Sequence, residues 1–299
     1  MIVGPTASGK SKYAVALAQE ISAEIVSADS MQIYRHMDIG TAKATPAERG
    51  GIPHHMIDIA DPDERFSVAD YQKMALACLD GIIARGRRAI IAGGAGLYIS
   101  ALVYNIRYPE FSADPLYRGH LKRVAQIYGN DWLHAELMKV DPISANKIHT
   151  NDEKRIIRAL EVYNATGMPL SEHERLSRSE PPKFRFNLIG LDVARDELYR
   201  RIDLRVDRML EMGLVSETRR LLERYGREGT ALQAIGYKEL IAYIDGVCSL
   251  HEAVMSIKTG TRRYAKRQMT WFRPMPGVKW VRQSRTDTRG ARDETIYLR

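Results

Sequence analysis

The stretch "GPTASGKS", residues 4–11, carries a chemistry in its spacing, G-x-x-x-x-G-K-[ST]. Glycines near its two ends let backbone N–H groups turn inward around phosphate oxygens, the lysine adds a point charge, and the closing serine offers a hydroxyl to Mg²⁺. Gly4, Thr6, Ala7, Ser8, Gly9, Lys10 and Ser11 are thus the candidate phosphate-binding residues. Lys10 would stabilise developing charge, and Ser11 would contact a metal. Which phosphate is held stays open, because most chains with this spacing bind ATP or GTP.

Further stretches hold residues that could act on whatever sits in that loop. In "SADSMQIYR", residues 27–35, Asp29 falls where a strand is expected to end. The carboxyl ends of strands in an open α/β sheet face the ligand crevice. A carboxylate there can serve as a general base if it reaches the attacking group, although Asp and Ser also cap turns. "GGAGLY", residues 93–98, follows another strand, and its glycines either admit a ligand close to the backbone or simply make the turn. His54 and His55 are adjacent, an arrangement that rarely chelates one metal, and no Cys or His cluster accompanies them in the sequence. Basic residues concentrate twice. Lys154, Arg155 and Arg158 stand near one another at helical spacing, with Ile156, Ile157 and Leu160 available for packing, and Arg262 stacks over Lys266 and Arg263 over Arg267, with Tyr264, Trp271 and Phe272 interleaved. Either segment could track a phosphate backbone or form a solvated face.

These residues need elements to hold them. Residues 1–3 read as a clipped strand, so the natural start lies upstream or the first strand is short; residues 11–21 read as a helix and 23–29 as the second strand. A helix at 68–84 leads to a buried strand at 87–94, and strands alternating with helices argue for a doubly wound parallel α/β sheet. From about residue 105 the strand signal stops, and residues 114–176 read as helices separated by "YGND", "DPISANK" and "TGMP". Strand character returns at 184–193, followed by helices at about 196–225, 237–244 and 250–272 and by a short strand, "VKWVRQ". The expected organisation is an α/β core, 1–104 and 180–283, interrupted by an all-helical insertion, 105–179, and followed by a loosely ordered polar tail, 284–299.

The chain has 299 residues and a net charge of +8, a basic excess that suits a polyanionic partner. No apolar run reaches the ~20 residues of a membrane span and no leader precedes the phosphate loop, so a cytoplasmic location is expected. Cys78 and Cys248 are expected to be buried free thiols.

Taken in order, "GPTASGKS", "SADSMQIYR", "PHHMIDI", "FSVADYQ", "GGAGLY", "NDEKRIIRALEVY", "QAIGYKEL" and "TRRYAKRQMTWFR" make the chain resemble the bacterial type of the tRNA dimethylallyltransferase (tRNA isopentenyltransferase) family, from Gly4 to about Arg273. The resemblance implies a P-loop NTPase-like parallel sheet flanked by helices, with the helical insertion binding tRNA. It implies a monomeric enzyme that moves the dimethylallyl group of dimethylallyl diphosphate to N6 of the adenosine beside the tRNA anticodon, position 37, releasing pyrophosphate. The loop would then hold the donor diphosphate with Arg205 and Mg²⁺. Asp29 would take the proton of the N6 amine, and Asp29, Ser30, Met31 and Gln32 would hold the target adenine, with Gln32 at its edge. His54, Lys154, Arg155, Ile156, Ile157, Arg158, Arg262, Arg263, Lys266 and Arg267 would touch the tRNA.

One position departs from the family pattern. Ala95 stands where the family has the threonine of "GGTGLY", which removes a hydroxyl beside the expected reaction centre, and restoring it is expected to raise kcat. Three other readings stay open on the residues alone: a small-molecule P-loop kinase, a prenyltransferase acting on free adenine nucleotides, and a tRNA-binding protein that has lost catalysis.

Overall fold

The structure, a computed structural model, describes residues 1–108, 114–177 and 180–282. The expected tail at 284–299 lies outside them. The chain forms two compact units, one of Met1–Ile99 and Arg185 onwards, the other of Ser100–Phe184. The helical insertion drawn at 105–179 falls within the second unit, which begins and ends about five residues further out.

In the first unit, β1 (Ile2–Val3), β2 (Ala23–Ala28), β3 (His54–His55), β4 (Arg88–Gly93), β5 (Leu188–Asp192) and β6 (Val278–Arg282) form one sheet in the order β3-β2-β4-β1-β5-β6. Every pairing is parallel. All six residues of β2 are buried, as expected where helices cover both faces of a parallel sheet. The short β1 occupies the centre, with Ile2 opposite Ala92 on one side and Ile189 on the other. Val26 lies opposite Ile91 and Ala28 opposite Gly93. That register brings Asp29 and Gly94, each one residue past its strand, to the same edge of the sheet. The adjacent histidines form β3, a strand the apolar pattern did not announce: His54 pairs with Ile25 and His55 with Val26. His55 Nε2 lies 2.6 Å from Glu24 Oε2, an oxygen that also accepts from Arg85 at 2.7 Å.

Around the sheet run α1 (Lys10–Ile21), α2 (Pro46–Arg49), α3 (Val68–Ala84) and α4 (Gly96–Val103). The start of α3 is fixed by a capping box, in which Ser67 accepts from the Asp70 N–H and Asp70 accepts from the Ser67 N–H. α1 packs Ala14 and Ala18 on Ile2, Ile25, Ile90, Ile189 and Leu191. The second unit holds α5 (Pro115–Val140), α6 (Pro142–Lys147), α7 (Glu153–Thr166) and α8 (Leu170–Leu176) around a core that includes Leu121, Val124, Leu133, Leu137 and Leu160. The expected break at "YGND" is present as a kink in α5, where the Gly129 backbone leaves helical geometry (φ 82°, ψ 167°) and divides two helical stretches. The next expected break, "DPISANK", is not a loop but α6 itself, because the Asp141 side chain accepts from the Ser144 N–H and Pro142 sits at the first position, where its missing N–H costs nothing.

The rest of the first unit is α9 (Arg195–Glu211), α10 (Leu214–Tyr225), α11 (Tyr237–Ile244) and α12 (Leu250–Phe272). The helical stretch expected at 196–225 is divided by Gly213, at φ 97°. Val206, Leu214, Leu221, Tyr237, Leu240, Ala253 and Ile257 form a core with Ile33, Tyr34 and Met37. The segment after β2 therefore lies on these helices, each buried side chain stabilising the contact by about 1.5–3 kcal/mol. Among the described residues no helix is long and apolar enough to cross a membrane, and both cysteines are free and partly exposed rather than buried.

Candidate active site

The phosphate loop joins β1 to α1. Gly9 is the N-cap of α1 at φ 89°, and Ala7 also has positive φ, 62°, so the loop's N–H groups converge rather than alternate. Lys10 Nζ donates to the Pro5 carbonyl at 2.7 Å, folding the side chain back over the loop. Burial, then the Arg205 guanidinium, push the Lys10 ammonium down to about 7, against the opposing pull of the Asp29 carboxylate. Two half-buried cations close enough to repel, beside an anion-binding loop, define a place short of negative charge. Ser8 Oγ is buried there without a hydrogen-bond partner among the described residues, while Ser11 is exposed at the first turn of α1.

Arg205 reaches the loop from α9, a route invisible in the spacing of residues 4–11. Its Nη1 donates to Thr6 Oγ1 at 3.3 Å, and Asp29 counteracts the downward push of burial on its guanidinium. Asp29 does two things at once. Its Oδ1 accepts from the Met31 N–H at 2.9 Å, the turn-capping role, and its charge is felt by Lys10, Arg205 and Tyr264. Ser30, Met31 and Gln32 continue the same turn, and Tyr34 N–H closes on the Met31 carbonyl at 3.3 Å. The Gln32 amide is engaged within the protein: Oε1 accepts from Ser27 Oγ at 3.2 Å, and Nε2 donates to the Thr41 carbonyl at 3.2 Å. Gln32 and His54 line one small cavity with Ser11 and Ser27, and His54 Nδ1 lies 2.8 Å from the Ile52 carbonyl.

Sequence reasoning missed Gln268. From α12 it accepts from the Thr6 N–H through Oε1 at 2.7 Å and donates through Nε2 to the Gly94 carbonyl at 2.9 Å, tying the phosphate loop to the "GGAG" turn. Because one partner is a donor and the other an acceptor, only a carboxamide satisfies both. A Cβ at Gly94 would collide with Gln268 Nε2, which is why that turn is glycine there. The signal was present: Gln268 is the one carboxamide in the buried stripe Ala253, Ile257, Ala265, Gln268, Phe272. Beside it, Ala95 is buried, and its N–H donates to the Ala28 carbonyl at 3.0 Å.

The candidate RNA-facing residues divide. Lys154, Arg155 and Arg158 are exposed on α7. Ile156 and Ile157 pack as their helical spacing implies, with side chains buried in the core of the second unit on the opposite face of α7, so the tRNA contact that the resemblance implies for them is not open to their side chains. On α12, Arg263, Lys266 and Arg267 are exposed, and Arg267 lies 5.7 Å over the Tyr264 ring. Arg262 is instead paired with Asp203 and lies 5.5 Å over Tyr199, so it braces α12 against α9.

A loop of this kind between the central strand and the first helix of an all-parallel sheet, with a carboxylate at the end of β2, one strand further out beyond β4, defines the P-loop NTPase-like class. Within it, the family model for IPP transferases matches residues 32–275. The chain is 49% identical over 280 residues to the tRNA dimethylallyltransferase of Carboxydothermus hydrogenoformans, covering 94% of this chain and 90% of that one. It is similar to the crystal structure of the tRNA isopentenylpyrophosphate transferase of Bacillus halodurans, with a TM-score of 0.70 and 46% identity over 94% of this chain and 88% of that one. A eukaryotic dimethylallyltransferase captured acting on tRNA gives a TM-score of 0.78 at 30% identity, over 94% of this chain and 72% of that one. The chain belongs to the tRNA dimethylallyltransferase family, prenyltransferases that transfer a dimethylallyl group to a tRNA adenosine.

Proposed function

We propose that residues 4–11 hold the diphosphate of dimethylallyl diphosphate and that Asp29 receives the proton from N6 of the adenosine beside the tRNA anticodon, position 37. The observation that carries this reading is the convergence at one edge of the sheet of Arg205, whose Nη1 donates to Thr6 Oγ1 of the phosphate loop at 3.3 Å, and Asp29 at the end of β2, whose charge acts on both Arg205 and Lys10. As the N6 nitrogen forms its bond to the allylic carbon, the carbon–oxygen bond breaks and its electron pair leaves with pyrophosphate. The loop N–H groups, Lys10 and Arg205 stabilise that charge where it develops. The N6 proton passes to the Asp29 carboxylate, which an aromatic amine needs because its lone pair is delocalised into the ring.

The donors available to a metal fit Mg²⁺ carried in on the diphosphate. No group of three or more His, Cys, Asp or Glu that could hold a metal exists among the described residues, and Ser11 offers a hard hydroxyl oxygen at the loop. When bound, Mg²⁺ would neutralise charge on the leaving group. The exposed cations of α7 and α12 would take the tRNA backbone, and the enzyme would act as a cytoplasmic monomer.

The test is transfer of labelled dimethylallyl groups to unmodified tRNA, with AMP as the competing acceptor. Label is expected on tRNA, and Asp29→Asn is expected to lower kcat by about 10²-fold or more without weakening donor binding, since it removes a negative charge felt by Lys10 and Arg205. Label on AMP alone, or a full rate in Asp29→Asn, would refute the proposal.

A further inference from the structure

The segment that carries Asp29 to Gln32 continues into a loop, residues 37–43, organised by a residue far away in sequence. Glu217, buried on α10, accepts from three consecutive backbone N–H groups: Asp38 at 3.1 Å and Ile39 at 2.9 Å on Oε2, and Gly40 at 3.1 Å on Oε1. The Tyr237 hydroxyl of α11 donates to Oε1 at 2.7 Å, filling its second position. The loop is thus a backbone anion nest whose occupant is a side chain of the protein itself. A Cβ at Gly40 would lie 2.5 Å from the Tyr237 ring, so the close approach requires glycine. Beyond the nest, the Thr41 and Ala42 carbonyls accept from Gln32 Nε2 at 3.2 and 3.4 Å. Lys43 then closes the loop, donating to the Tyr34 carbonyl at 2.5 Å and to Asp38 and Asp58 at 2.8 and 2.5 Å.

We infer that Glu217, with Tyr237, is a positioning residue for prenyl transfer: by holding the 38–40 backbone it sets the two carbonyls that orient Gln32 three residues from Asp29, and so presets the acceptor-base side of the site. The inference rests on the reading of Asp29 as the base. All four hydrogen bonds to Glu217 come from donors, so a carboxylate is required. A carboxamide in its place would face an N–H toward at least one of them in either orientation, leaving a buried donor unpaired.

Single-turnover transfer to tRNA with both substrates saturating, donor affinity by calorimetry and thermal melting of the full chain together test this. Glu217→Gln is expected to lower the transfer rate by about tenfold or more, the scale of a misplacement under 1 Å, while donor Kd stays within about twofold. Tyr237→Phe, which keeps the ring and the three backbone bonds, is expected to lower the rate less, in the same direction, and decides the matter should Glu217→Gln fail to fold. An unchanged rate in folded variants overturns the inference, as does a fall in rate matched by an equal fall in donor affinity, the mark of a general structural role. If Asp29→Asn transfers at full rate but Glu217→Gln does not, the base assignment fails, and with it the inference as stated, leaving Glu217 to act through Gln32 alone; the converse result removes the positioning role alone.

Discussion

Ala95 shows how one side chain can bear on both stability and rate. Its carbonyl accepts from the Ile99 N–H at 3.1 Å, the first bond of α4, so Ala95 is the N-cap of that helix. Alanine is a poor cap, and a threonine hydroxyl there can accept from the free N–H groups of the first turn. The resemblance to the family, which has threonine at this place, also puts that hydroxyl beside the leaving diphosphate. Ala95→Thr is therefore expected to add about 1 kcal/mol of stability, read by thermal melting, and to raise kcat in the transfer assay. A higher melting point with an unchanged kcat would assign the hydroxyl to capping alone. Lys10 makes a related point about charge. With its ammonium held near 7 by burial and by Arg205, an incoming diphosphate supplies the counter-charge that restores it.

Among the elements, α12 has two faces with separate tasks. One presents Arg263, Lys266 and Arg267 to solvent, and the other buries Ala265, Gln268 and Phe272. Gln268→Met keeps the volume and removes both bridging bonds, leaving the Thr6 N–H and Gly94 carbonyl unsatisfied. At about 1 kcal/mol per bond, donor affinity is expected to fall by about tenfold or somewhat more, measured by calorimetry, with tRNA affinity unchanged. Equal losses for both substrates would show that the helix, not the bridge, had been disturbed. β1 illustrates the opposite economy: two residues suffice for a central strand because β4 and β5 pair with it from both sides.

For the whole molecule, the net charge of +8 matters through where it is displayed. In the second unit α7 exposes Lys154, Arg155 and Arg158 above a buried stripe, and Arg155 shares its charge with Asp152 at 3.4 Å. An RNA held by such cations releases counterions, so its affinity falls with salt. Replacing Lys154 and Arg155 together by glutamine is expected to weaken tRNA binding and to flatten the slope of log affinity against log salt by about one to two. The rate at saturating tRNA should stay close to that of the parent chain. An unaltered slope in filter binding would take α7 out of the interface.

The sequence by itself determined what depends on neighbours in the chain. The anion loop follows from glycine spacing, the start of α3 from Ser67 and Asp70, and the limits of α11 and α12 from apolar period and caps, because local backbone preference and helix periodicity are short-range. Ile156 and Ile157 belong to the same short-range reading: helical spacing offers them for packing and the core of the second unit takes them, whereas their tRNA contact came only from the family resemblance. Only the tertiary structure decided which distant residues converge. Gln268 lies 262 residues from Thr6, Arg205 lies 199 residues from it, and Glu217 lies 177 residues from Gly40. Each meets a backbone group or hydroxyl whose need for a partner is invisible in one dimension, since burial creates that need only once the sheet and helices have excluded water.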